Sequence, residues 1–148
     1  KVAAGYRYLP MGFFYGPQVD FYLGYGSYAY DVERYPSSGM VDVTYKGILL
    51  GVRADIPIYQ KIRPFLKIEL LFNPVVDEDK SAGSALYGNR KSASSIFAEA
   101  GGIFHLTSKI DLYGSFSLLS NSATYPENQS SEIAFKEMGL SLGALYSF

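Results

Sequence analysis

The sequence predicts an all-β chain: an antiparallel up-and-down β-barrel that crosses a membrane with its strands, eight in all, of which seven are visible in these 148 residues. Three observations lead there. Seven segments alternate apolar with polar or small residues at a period of two, the connections between them alternate between long and short, and no apolar run approaches the about 18 residues that a spanning helix needs. At this length residues 1–148 form a single domain.

Each segment follows one rule. Val2, Ala4, Tyr6 and Tyr8 lie on one side of the first, with Gly5 and Arg7 on the other. Pro10 and Gly12 follow, so the run over residues 2–15 reads as a bent or bulged strand, or as two merged ones. In the second, Val19, Phe21, Leu23 and Tyr25 oppose Asp20, Gly24 and Gly26. In the third, Ile48, Leu50, Val52, Ala54 and Ile56 oppose Gly47, Gly51, Arg53 and Asp55. Residues near 61–73 set Ile62, Leu66, Ile68, Leu70 and Phe72 against Arg63, Lys67, Glu69 and Asn73. Residues near 93–107 set Ile96, Ala98, Ala100, Phe104 and Leu106 against Glu99, Gly101 and His105. The sixth has Ile110, Leu112, Phe116 and Leu118 facing away from Asp111, Tyr113, Ser115 and Ser117. The last has Met138, Leu140, Leu142, Ala144 and Tyr146 facing away from Glu137, Gly139, Ser141 and Gly143.

Alternation by itself fits two environments. A soluble sandwich or lipocalin-type barrel buries its apolar face and wets its charges. A membrane barrel inverts this, with an apolar band toward lipid and a polar, glycine-containing interior. The composition favours the second: 14 tyrosines and 10 phenylalanines without tryptophan suit aromatic belts at two interfaces. The absence of cysteine excludes a disulfide framework or thiolate metal site, and a net charge of −1 gives no basic surface for nucleic acid. No leader segment is evident and the chain is strand-like from Val2, which suggests a processed form.

Long polar connections are expected over residues 31–39, 73–92 and 121–131, and short ones near 16–17, 57–61 and 107–109. The chain ends Ser141-Leu142-Gly143-Ala144-Leu145-Tyr146-Ser147-Phe148. This polar-x-Gly-x-x-aromatic-x-aromatic ending resembles the C-terminal signal of Gram-negative outer-membrane β-barrels. By that resemblance Gly143, Tyr146 and Phe148 form an assembly signal read by the barrel-assembly machinery, Phe148 lies at the periplasmic end, and all long connections face outward. The architecture resembles that of the small OmpA/OmpX-type barrels, which implies a bacterial outer-membrane location among lipid and lipopolysaccharide. An even strand number is the rule there, hence the eighth strand, expected before Lys1.

Eight strands enclose an interior that side chains can fill. Strand depth places Arg7, Lys67, Glu69, Glu99 and Glu137 around mid-lumen, and Asp20, Arg53, Asp55, Arg63, His105 and Asp111 near the periplasmic mouth. Acids and bases interleave in both layers, as expected of structural ion pairs that satisfy one another. Three functions follow in order of support: a plugged barrel acting as envelope structural element, surface-contact or adhesion protein, or membrane anchor of a larger assembly; a narrow pore gated by the lumen charges; and a lipid-modifying enzyme. The enzyme reading rests on His105, Thr107 and Glu99, similar to the His-x-Ser pair with a distant Glu of an outer-membrane lipid A deacylase, but placed at the wrong end to meet outer-leaflet lipid. No enzyme activity, cofactor or metal site is expected. Asp77-Glu78-Asp79 lacks calcium-loop spacing and reads as a solvated charge run. Tyr87 and Arg90 are the loop residues suited to a protein partner.

Overall fold

The computed structural model describes residues 1–12, 16–30, 43–59, 61–78, 92–125 and 131–146. They form one antiparallel sheet of seven strands in sequence order: β1 (Val2–Tyr8), β2 (Gln18–Tyr30), β3 (Val43–Asp55), β4 (Ile62–Glu78), β5 (Ser92–His105), β6 (Ile110–Tyr125) and β7 (Ser131–Tyr146). Every neighbouring pair is also consecutive along the chain, which is up-and-down wiring. Among the described residues β1 and β7 are not paired, so the sheet is open along one seam. No helix among them is long and apolar enough to cross a membrane.

The sheet is nonetheless strongly curled. Adjacent strands lie about 4.8 Å apart, so β1 and β5 would be about 19 Å apart if flat. Lys1, at the head of β1, nevertheless holds its Nζ 4.8 Å from the ring centre of Phe97 on β5. Phe65 on β4 stacks on Tyr113 of β6 at 5.7 Å, over the intervening strand. Glycine makes that contact possible: a Cβ at Gly101 of β5 would lie 2.8 Å from Phe65 Cζ and 2.4 Å from the Gly114 carbonyl oxygen. Gly51 does the same for Tyr22, whose ring would meet a Cβ there at 2.1 Å.

The two faces separate as the alternation predicts. Phe21, Leu23, Leu50, Ile68, Leu70, Phe116 and Leu118 lie on the outer face and stay exposed, while Asp20, Arg53, Asp55, Arg63, Lys67, Glu69, Glu99 and Asp111 point into the concave side; Lys46 and Asp77 pair on the outer face. The inner face also carries an apolar cluster that alternation does not anticipate. Val43, Tyr45, Leu49, Leu71 and Ala123 are buried together near the end where the long connections emerge, with Tyr22, Tyr28 and Phe135 against them. Its signal is present in the sequence, because Ile48-Leu49-Leu50, Leu70-Leu71-Phe72 and Leu118-Leu119 are continuous apolar runs that place a side chain on both faces.

Strand lengths differ from expectation in two places. Residues 73–78 continue β4 instead of opening a loop, and residues 75–78 pair with β3 beyond a register shift opposite Lys46 and Ile48. Asn73 takes a φ of 45° there, a left-handed conformation that asparagine tolerates, and so sits in the irregularity and not on the inner face. Asn121 likewise belongs to β6, which continues to Tyr125. Polarity suggested loops at both places, but the strands carry the polar residues: Asp77 pairs with Lys46 on the exposed face, and Asn121 is buried on the inner one. β1 pairs with β2 without a register shift and ends at Tyr8, and Gly12 turns the chain with a φ of 72°.

Candidate functional site: the polar interior

The inner face carries three centres built on carboxylates and two further pairs, Arg7–Asp20 and His105–Asp111. The deepest centre is Glu69 on β4, 3% exposed. It accepts from Lys1 Nζ at 2.7 Å and lies 2.6 Å from Lys67 Nζ. The hydroxyls of Tyr22 and Tyr28 donate to it at 3.1 and 3.0 Å. Aromatic rings surround the two amines: Lys1 lies 4.1 Å from the ring centre of Tyr28, and Lys67 5.2 Å from that of Phe97. Both ammonium groups thus keep a carboxylate and a π-face in place of part of their water.

The second centre is Asp55 at the end of β3, which lies 3.2 Å from Arg53 Nε and 2.7 Å from Arg63 Nε. Arg63 also donates to the Gly16 carbonyl at 2.8 Å, tying the turn before β2 to β4. Arg53 lies over the Phe65 ring at 4.1 Å, which flattens it against the wall. Beside this centre Arg7 donates twice to Asp20, at 2.6 and 3.0 Å, across the β1–β2 pair where the two residues are register partners. Glu99 forms the third centre, and it is neutral in its partners. Tyr113 and Ser115 of β6 donate to it, Ser115 at 2.6 Å.

His105 and Asp111 close the short turn between β5 and β6 with a 2.7 Å hydrogen bond. Thr107 Oγ1 accepts the backbone N–H groups of Lys109 and Ile110 at 3.2 and 3.0 Å, which caps that turn. Glu99, His105 and Thr107 therefore each have separate partners, and no hydrogen bond joins them among the described residues.

Of the residues expected at mid-lumen, Lys67 and Glu69 come together. Glu99 binds hydroxyls, and Arg7 joins Asp20 from the other expected layer. Glu137 stands apart: it is exposed on the edge strand β7 and has no ion pair among the described residues. Of the second expected group, Arg53, Asp55 and Arg63 form one unit and His105 with Asp111 another. Lys1, Tyr22, Tyr28, Phe97 and Tyr113 are site residues that the charge pattern alone did not single out. Tyr22, Phe97 and Tyr113 fall on the polar side of the alternation, and that was the available signal.

Asp77 lies within β4 and pairs with Lys46 Nζ at 2.7 Å, an exposed contact. Among the described residues no group of three potential ligands could hold a metal. Gly143 and Tyr146 lie in β7, where Gly143 has open space beside it. Phe148, Asp79, Tyr87 and Arg90 fall outside the described residues. No family model, curated protein or solved structure matches the chain.

Proposed function

We propose that this chain is the greater part of an eight-stranded outer-membrane β-barrel with a plugged interior. It acts as a rigid, lipid-embedded element that displays the segments between its strands as an envelope structural, surface-contact or anchoring protein. The observation that carries the reading is the distribution of charge over the two faces. The ion pairs of Glu69, Asp55 and Asp20 all lie on the concave side, whereas Leu50, Ile68, Leu70 and Leu118, spread over β3, β4 and β6, are exposed on the convex one. Water disfavours a continuous exposed apolar surface of that kind, and hydrocarbon favours it. The resemblance of the C-terminal residues to an outer-membrane assembly signal agrees with this.

Plugging is favoured over conduction by the packing of the interior. Tyr45 is fully buried and Leu49 is 2% exposed at one level, Glu69 is clamped at the next, and Asp55 holds two arginines below. Side chains fill a barrel of this size, and the verified barrel is expected to be silent in planar-bilayer conductance.

The test is Leu70→Arg in the chain folded into lipid vesicles. A charge on the lipid face near the midplane costs about 2–4 kcal/mol, while the same change on a watery surface is within about 0.5 kcal/mol. The folded protein should also migrate differently from the boiled one on a gel. Solubility without detergent, no mobility change and a neutral Leu70→Arg would together defeat the membrane reading. Discrete conductance steps would leave the barrel standing and turn its function into a pore.

A further inference from the structure

The seam between β1 and β7 has a shape and a charge. Because all six neighbouring pairs are antiparallel, β1 and β7 run in the same direction. Joining them directly would require a parallel ladder, and so would pairing β1 of one copy with β7 of a second copy held in the same orientation. One intervening strand restores the antiparallel pattern on both sides. The exposures fit a missing neighbour: Leu140 and Leu142 on β7 are 75% and 80% exposed, against 43% for Leu70 in the middle of the sheet.

Small residues line the middle of the inner side at each edge. Ala3 and Gly5 line it on β1, Gly139, Ser141 and Gly143 on β7, and a Cβ built at Gly143 meets nothing within 4 Å. Glu137 shares that side and lies in the register row of Glu69, through Phe97 and Leu119. Glu69 has two cations against it, whereas Glu137 has none among the described residues.

We infer that the seam is filled by one strand of the same polypeptide lying outside residues 1–148. It runs antiparallel to β1 and β7, carries large side chains inward over the small residues of both edges, and places a lysine or arginine against Glu137. The same polypeptide is the source because every pair in the sheet joins consecutive strands. The inference rests on the barrel reading, and it adds the chemistry of the closing strand.

The experiment uses the protein with its flanking sequence, folded in detergent, with Ser141→p-benzoylphenylalanine as a photo-crosslinker on the inner side of β7. The expected product is an intramolecular cross-link to a segment outside residues 1–148 with a cationic residue on its inward face. In parallel, Glu137→Lys should lower the urea midpoint clearly more than Glu137→Gln does, because it sets two cations together. A cross-linked product of doubled mass would overturn the inference in favour of a second copy. A folded, heat-modifiable protein that yields no cross-link to such a segment, or equal midpoints for the two Glu137 variants, would overturn the closing strand and leave the barrel intact. Loss of the mobility change in the unsubstituted protein would overturn both.

Discussion

Glu69→Ala is expected to destabilise the fold by about 3 kcal/mol. Removing one member of a buried ion pair costs about 3–5 kcal/mol, because the partner charge is left without compensation. Glu69 compensates two such charges and also accepts from two tyrosine hydroxyls. The low end of the range applies, since the Lys1 and Lys67 side chains are 34% and 24% exposed and recover some hydration. Glu69→Gln keeps an acceptor for the hydroxyls but neither charge pair, and should cost about 2 kcal/mol. The chain has no tryptophan, so the assay is a urea titration in detergent micelles followed by far-ultraviolet circular dichroism and gel mobility. With a slope of about 1–3 kcal/mol per molar urea, the alanine variant should shift the midpoint by about 1–3 M. The triple variant Lys1→Met, Lys67→Met, Glu69→Leu should recover most of the loss, since buried charges removed together leave none unpaired. A wild-type midpoint for Glu69→Ala, or a triple variant weaker than the single one, would refute the argument that charge compensation holds this layer.

Asp55→Ala should cost about 3 kcal/mol in the same titration, because it releases Arg53 and Arg63 from a site that is 6% exposed. Asp20→Ala should cost about 1 kcal/mol or less, since the Arg7 side chain is 50% exposed; equal losses for the two would contradict the ranking by burial. Gly101→Ala should lower the midpoint by an amount equivalent to about 1–3 kcal/mol, because its Cβ would fall 2.4 Å from a backbone oxygen and displace Phe65. Gly143→Ala meets open space in residues 1–148 and should leave the midpoint of this chain unchanged. Leu71→Ala, in the inner apolar cluster, should cost about 2–5 kcal/mol, and a negligible change would mean that the cluster does not stabilise the sheet.

Alternation alone determined the strands, their order of faces and the antiparallel class. A period of two is a property of the backbone, and it survives whatever surrounds the sheet. It also placed Lys67, Glu69, Arg53, Asp55 and His105 on one side without any contact being known. Partner choice between strands lay beyond it. Arg7 faces Asp20 because the β1–β2 register makes them direct neighbours, and Lys1 reaches Glu69 only because the sheet curls across the two strands between them. The inner apolar cluster and the stretch of β4 beyond Asn73 were decided in the same way, by packing across the concave face and by a register shift opposite Lys46 and Ile48. Sequence spacing acts over two residues and is enough for Lys67–Glu69 and Arg53–Asp55, whereas curvature brings together side chains tens of residues apart, as it does Lys1, Tyr22 and Tyr28 with Glu69.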